Sequence, residues 1–103
     1  MEFGLSAENI DKIRSVFAEY PEVEKVIIYG SRAKGNYRHN SDIDLTLIGE
    51  QLNLDIQFRI DESLDNLLLP YTIDLSVFSQ ISNPDLVEHI QRVGVVFYQN
   101  KID

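Results

Sequence analysis

The chain has 103 residues and no cysteine, and its 17 acidic residues outnumber the 9 basic ones to give a formal charge of −8. That length fits one domain spanning residues 1–103, and the lack of cysteine excludes a disulfide framework and a thiolate zinc site. The negative charge disfavours nucleic acid and anionic membranes as partners, because the field of the molecule repels phosphates. No apolar run is long enough to span a bilayer and no secretory pattern begins the chain, so we expect a cytoplasmic protein.

The first half of the chain alternates between helical and extended patterns. Ser6 is typical of a helix N-cap, apolar residues then recur on one helical face, and Pro21 ends that helix. Residues 23–29 contain a β-branched and aromatic run, which predicts a buried strand that Gly30 terminates. A polar segment follows, and its first residues predict a short helix. The alternation at 42–47 then predicts a half-buried strand with acids on one face.

The second half continues this alternation. Residues 52–69 begin like a strand, but apolar residues recur every four positions over the whole stretch, which predicts a helix that Pro70 closes. Residues 71–78 alternate as a strand. Asn83-Pro84-Asp85 is typical of a helix start, and a last strand is expected at 95–98. The order of elements predicts an α/β fold, a mixed β-sheet with helices packed mainly on one face.

Three carboxylates are the first candidates for a functional site. Asp42 and Asp44 are two apart on one predicted strand, so both side chains leave the same face, and Asp74 lies on the polar face of the next predicted strand. If these strands pair in the matching register, the three acids form one cluster. Such acids repel each other unless a cation lies between them, and Mg²⁺ prefers oxygen ligands. Three carboxylates suffice to hold two metal ions for a phosphoryl displacement; the alternative is that they are solvated acids on an exposed strand.

A candidate phosphate-binding turn precedes these acids. Gly30 permits a tight turn and a close backbone approach, while the Ser31 hydroxyl and nearby N–H groups could hold phosphate oxygens or cap the short helix. Arg32 and Lys34 follow at once and could neutralise a triphosphate, although both could equally be surface charges. The segment therefore combines a candidate nucleotide-binding turn with a candidate metal site.

This combination resembles the nucleotidyltransferase superfamily related to DNA polymerase β. Gly30-Ser31, ten intervening residues and Asp42-Ile43-Asp44 match its motif without a gap, and Asp74 matches its third acid. The resemblance covers nearly the whole chain. In length and layout, the chain is similar to the minimal nucleotidyltransferases of bacteria and archaea. It implies a nucleotidyltransferase fold in which Asp42, Asp44 and Asp74 bind Mg²⁺ and act in catalysis.

The resemblance also implies a reaction and a partner. The reaction is the transfer of a nucleoside monophosphate, AMP from ATP, to a hydroxyl with release of pyrophosphate. Minimal nucleotidyltransferases often occur with a small helical protein of the HEPN type, and several act as antitoxins that add AMP to a tyrosine of that toxin. In 103 residues there is no room for a further acceptor-binding domain, so another molecule must present the hydroxyl.

Two other functions stay open at this point. One is transfer to a small molecule such as an aminoglycoside, and the other is a non-catalytic subunit that neutralises a toxin by binding alone. An open site beside an apolar patch would favour a protein acceptor, whereas an enclosed pocket would favour a small one. Whether the chain also forms a homo-oligomer is not indicated by the sequence.

Overall fold

The structure is a computed structural model that describes residues 2–101. The described residues alternate between helices and strands in the order expected from the sequence. The elements are α1 (Ala7–Ala18), β1 (Lys25–Tyr29), α2 (Gly30–Lys34), β2 (Ile43–Ile48), α3 (Leu54–Asp65), β3 (Ile73–Val77), a 3₁₀ turn (Phe78–Gln80), α4 (Pro84–Val93) and β4 (Val95–Gln99).

The four strands form one mixed sheet in the order β3-β2-β1-β4, which confirms the predicted architecture. β1 pairs antiparallel with both β2 and β4, while β2 and β3 pair in parallel. Parallel neighbours need a crossover connection, and α3 lies in the segment between β2 and β3. β3 and β4 are therefore the two edges of the sheet, and β2 lies beside β3.

The hydrophobic core lies between one face of the sheet and the two longest helices. Successive strand residues point to opposite faces, and Val26 and Ile28 of β1 are fully buried on the core side. The helices begin where their caps predict, since Ser6 accepts a hydrogen bond from the Asn9 N–H and Asn53 accepts one from the Ile56 N–H. The buried helical residues of this core are Ile10, Ile13, Val16, Phe17, Ile60 and Leu64.

The other face of the sheet is only partly covered. Ile27 and Tyr29 point to this face, and the Tyr29 ring meets the His89 ring of α4 edge-on, with centroids 6.2 Å apart. α4 also begins as predicted, because Asn83 accepts a hydrogen bond from the Asp85 N–H and Pro84 occupies the first turn. The two longest helices thus share one face as expected, while α4 lies over β1 on the other. Within residues 2–101, no helix is long and apolar enough to cross a membrane.

Both predicted boundaries of one helix are wrong. The helix expected over 52–69 begins at Leu54 and ends at Asp65. Residues 66–69 form turns instead, and Leu68 adopts a left-handed conformation with φ of 55°. The apolar period continues past the helix because Leu67 and Leu69 pack against the core from a turn, which periodicity alone cannot distinguish from a last helical turn.

Candidate active site

The strand register brings two of the candidate acids side by side. Asp44 of β2 is the direct partner of Asp74 of β3 in the parallel ladder, and it is also the partner of Tyr29 in the antiparallel ladder. Neighbouring strands lie about 4.8 Å apart, so the Asp44 and Asp74 side chains leave the same face as close neighbours. Asp42, two residues earlier, lies just before β2 and is exposed, as is Asp74, while Asp44 is half-buried. The three acids therefore occupy one end of the open face.

The turn between β1 and α2 is built around Gly30. This residue has φ of 74°, a conformation that residues with a side chain rarely adopt, and a Cβ placed on it would overlap the Asp44 carboxylate oxygen Oδ2. The backbone of the turn thus lies directly against the Asp44 side chain. Ser31 follows in the first turn of α2 and is half-buried. The structure therefore brings Gly30 and Ser31 to the same end of the sheet as the acids.

The electrostatics of the site centre on Asp44. Burial is the main cause that raises the pKa of the Asp44 carboxyl above its ordinary value of 3.8, and the charges of Asp74 and Asp42 raise it further. His89 and Arg32 lower that pKa, but they do not reverse the shift. The charges of Asp74 and Asp42 thus act on Asp44 at one end of the sheet, and within residues 2–101 the opposing effect of His89 and Arg32 does not outweigh burial and these charges.

Tyr29 responds to the same negative field. Burial raises the pKa of its hydroxyl above the ordinary 10.0, and the charges of Asp44 and Asp74 add to this, while the nearby Ser76 hydroxyl opposes the shift. The Tyr29 side chain is buried beneath His89. It therefore stays protonated at neutral pH and forms the floor of the site next to Asp44.

The chain alone does not form a closed metal cage. Within residues 2–101, no group of three histidine, cysteine or carboxylate side chains is gathered closely enough to hold a metal ion. The three-carboxylate cluster expected from the sequence is thus present as neighbours on one face but not as a finished ligand set. Mg²⁺ usually takes only one or two protein carboxylates and completes its shell with water and substrate phosphates. The raised pKa of Asp44, caused mainly by burial and increased by the charges of Asp74 and Asp42, fits a cation that arrives with a nucleotide.

Arg32 does not match the role expected from its sequence position. It is only 2% exposed, and its guanidinium donates hydrogen bonds to the backbone carbonyls of Phe3, His39 and Ser41. The guanidinium also lies 5.4 Å from the ring centroid of Tyr37 and 4.9 Å from that of Tyr71. Most of its donors are therefore occupied inside the protein, which leaves Arg32 poorly placed for the triphosphate contact expected from the sequence. Arg32 instead holds the loop that leads into Asp42.

The other candidates near the turn differ in position. Lys34 is exposed in the last turn of α2, so its amine is accessible to a ligand. His39 is exposed in the loop, and its carbonyl is one of the acceptors of Arg32. His89 of α4 lies over Tyr29 and lowers the pKa of Asp44. No local signal identified it, because its approach depends on how α4 packs against β1.

Comparisons with known proteins agree with this geometry. The family model described as "Polymerase beta, Nucleotidyltransferase" matches residues 11–103. The chain is similar to the "Probable protein adenylyltransferase MntA" of Haemophilus influenzae, with 27% identity over 101 residues that cover 97% of this chain and 88% of that protein.

Two solved structures share the fold. One is a toxin–antitoxin with AMP-PNP, for which the TM-score is 0.72 at 20% identity over 90% of this chain and 75% of the other. The other is the tri-AMPylated HEPN toxin of Shewanella oneidensis in complex with its MNT antitoxin, with a TM-score of 0.66 at 17% identity over 91% of this chain and 72% of the other. At these identities the structures establish the architecture.

Proposed function

Since the chain belongs to the polymerase beta nucleotidyltransferase family, we propose that it transfers AMP from ATP to a tyrosine hydroxyl of a HEPN-type toxin and so acts as an antitoxin. The observation that carries the proposal is the register that sets Asp44 beside Asp74 on an open sheet face, next to Gly30. Support for AMP and a protein acceptor comes from the similar adenylyltransferase and from the toxin–antitoxin structures of the same fold.

Each group at the site has a role in this reaction. Gly30 and Ser31 approach the triphosphate, and the accessible Lys34 helps to neutralise it. Asp42 and Asp44, with Asp74, would hold Mg²⁺, which would supply positive charge to the triphosphate and the leaving pyrophosphate. The exposed Asp74 accepts the proton of the acceptor hydroxyl. The hydroxyl oxygen forms a bond to the α-phosphorus, the bond from that phosphorus to the bridging oxygen breaks, and pyrophosphate leaves.

The accessibility of the acids favours a protein acceptor over a small one. Asp42 and Asp74 are both exposed, so a tyrosine presented on another protein can reach them. An enzyme for a small acceptor would instead enclose most of that molecule in a pocket. The cytoplasmic location that the sequence predicts would also supply the ATP that this reaction needs.

Intact-protein mass spectrometry tests the proposal. The chain is incubated with Mg²⁺-ATP and a co-expressed HEPN-type partner, and we expect the partner to gain mass in whole AMP units. Asp42→Asn and Asp44→Asn should each lower the transfer rate at least a hundredfold, since each removes a charge that the metal needs. Asp11→Asn on α1 is the matched control, because it removes an exposed carboxylate from the other side of the molecule.

The outcomes separate the remaining functions. If Asp42→Asn and Asp44→Asn both transfer AMP at the wild-type rate, the metal-binding roles assigned to Asp42 and Asp44 are wrong. A stable complex without AMP transfer from any nucleoside triphosphate identifies a binding subunit that blocks the toxin without chemistry.

A further inference from the structure

Two large apolar side chains stand out on the surface of α3. Leu54 is 80% exposed and Phe58 is 63% exposed, although both are large apolar side chains on the helix α3. They are four residues apart, so they lie one above the other on the same helix face and form a continuous apolar surface. We refer to Leu54 and Phe58 as the α3 ridge. The core-facing residues of α3, Ile60 and Leu64, lie on a different side of the helix.

The α3 ridge lies on the side of the helix next to the edge strand β3, whose other face carries Asp74. Gln57, which shares this side, donates a hydrogen bond of 3.3 Å to the Leu75 carbonyl of the edge strand β3. Asp61 lies three residues after Phe58. Burial raises the pKa of the Asp61 carboxyl, the charge of Asp65 raises it further, and Asp74 is close enough for its charge to contribute as well. The ridge and the exposed acid Asp74 therefore lie around the same edge of the sheet, on either side of β3.

Shallow depressions flank the ridge. One of about 530 Å³ is lined by Leu54, Asp55, Gln57, Phe58 and Asp61. A second of about 540 Å³ shares Leu54, Asp55 and Gln57 and continues toward the end of β3. Side chains of a partner could therefore enter beside the two apolar residues.

The charge around the ridge indicates what would cover it. Asp55 forms an ion pair with Arg59, but Asp61, Glu62 and Asp65 have no ion-pair partner among residues 2–101. A second copy of this chain docked ridge to ridge would bring these acids together and add to a charge of −8 on each copy. The complementary occupant is a protein surface with an apolar socket bordered by lysine or arginine side chains.

We propose that the α3 ridge is the docking surface for the protein that supplies the acceptor hydroxyl, through an apolar socket with a basic border. This inference rests on the proposed AMP transfer, and it adds where the acceptor protein binds. Docking on α3 places the partner beside the β3 edge, so that a tyrosine next to the contact can reach Asp74. The ridge contributes binding of the acceptor protein and takes no part in binding ATP.

The test uses the double variant Leu54→Ser/Phe58→Ser with the co-expressed HEPN-type partner. Both side chains are mostly exposed, so the variant is expected to fold, which its thermal transition verifies. Apolar anchors dominate protein interfaces, so we expect the Kd for the partner to rise at least tenfold and the KM for the partner to rise in parallel. The Kd for Mg²⁺-ATP and the kcat at saturating partner should stay within twofold. Val96→Thr, on the opposite sheet edge and 46% exposed, should leave all these values unchanged.

Different results would overturn the docking surface and the proposed AMP transfer. AMP transfer with an unchanged Kd and KM in the double variant overturns the docking surface and leaves the function intact. A complex that the double variant weakens, but in which the wild-type chain transfers no AMP, supports the docking surface and overturns the function. Absence of any complex with the wild-type chain, or self-association that the double variant abolishes, overturns the docking surface.

Discussion

Asp44 destabilises the folded chain when no cation is bound. Its raised pKa means that the folded state favours the protonated carboxyl, so its contribution to stability is present at low pH and is lost as the pH rises through the raised value. Asp44→Asn keeps the shape and removes the charge. We expect this variant to be more stable than the wild type at about pH 7 by ~0.5–1 kcal/mol, after allowing for solvent screening at a half-buried site.

Thermal unfolding at two pH values checks this prediction. The gain in Tm from Asp44→Asn should be largest near neutral pH and shrink as the pH falls through the raised pKa toward the ordinary value of 3.8. Asp11→Asn, which removes an exposed charge, should shift Tm less at neutral pH. A variant that is less stable than the wild type at every pH would contradict the account, since it would assign Asp44 a net stabilising role.

Arg32 joins three parts of the chain. Its guanidinium reaches the carbonyls of Phe3 and Ser41 at 2.8 Å each and packs between two aromatic rings. Lysine has a single ammonium group and cannot reproduce this planar set of donors. We expect Arg32→Lys to lower the free energy of unfolding by about 3 kcal/mol, because buried carbonyls lose their donors. Urea denaturation measures this value, with Lys34→Arg as the control at an exposed site on the same helix. An Arg32→Lys variant of unchanged stability that no longer binds Mg²⁺-ATP would restore the phosphate-binding role.

At the scale of elements, the β1–α2 turn brings the backbone against the catalytic face. Gly30 begins α2 and Gly35 follows its last residue, and both have positive φ, 74° and 85°. A Cβ on Gly30 would overlap Asp44, whereas a Cβ on Gly35 would meet no atom within 4 Å. Alanine at either position adds a similar backbone strain of about 1–2 kcal/mol, but only Gly30→Ala displaces the carboxylate.

The pair of alanine variants therefore separates strain from displacement. We expect Gly30→Ala to reduce AMP transfer at least tenfold more than Gly35→Ala, with comparable losses in Tm from the backbone. The measurement is transfer at a temperature where both variants are folded, as circular dichroism verifies. Equal activity in the two variants would mean that the turn does not position Asp44.

Local signals in the sequence predicted most of the elements and the main acids. The caps at Ser6 and Asn83 are satisfied by side-chain hydrogen bonds within one turn, so they depend on residues that are adjacent in the chain. Strand alternation placed Asp44 and Asp74 on polar faces for the same reason. The parallel register that joins them was expected only conditionally, and the structure supplies it.

Other features could not be predicted because they depend on distant contacts. The burial of Arg32 requires the carbonyl of Phe3, which is 29 residues away. The approach of His89 to Tyr29 requires the packing of α4 on β1. A basic residue after Gly-Ser is equally typical of a phosphate contact and of a loop anchor, so its neighbours in sequence do not decide between them.

At the scale of the molecule, the two faces of the sheet are used differently. α1 and α3 cover one face and bury the core, while the other face is covered only in part by α4 and exposes Asp42 and Asp74. The burial of apolar surface, which would stabilise a chain of this length, is therefore incomplete at one end of the sheet. The chain also carries a charge of −8, which repels the polyanion ATP over the distance at which salt screening is incomplete.

Because of this field, we expect the proposed nucleotide binding to depend on a divalent cation. We expect Mg²⁺-ATP at about 100 times its Kd to stabilise the chain by about 2.7 kcal/mol, and ATP with EDTA to give no increase in Tm. NaCl at matched ionic strength is the control, because it screens the acids without bridging them to phosphates and should raise Tm far less. Asp44→Asn should lose most of the shift with Mg²⁺-ATP, although it starts from a higher Tm. An equal shift for ATP with and without Mg²⁺ would show that the chain binds phosphates through its own cations, and the carboxylates would then need a role other than metal binding.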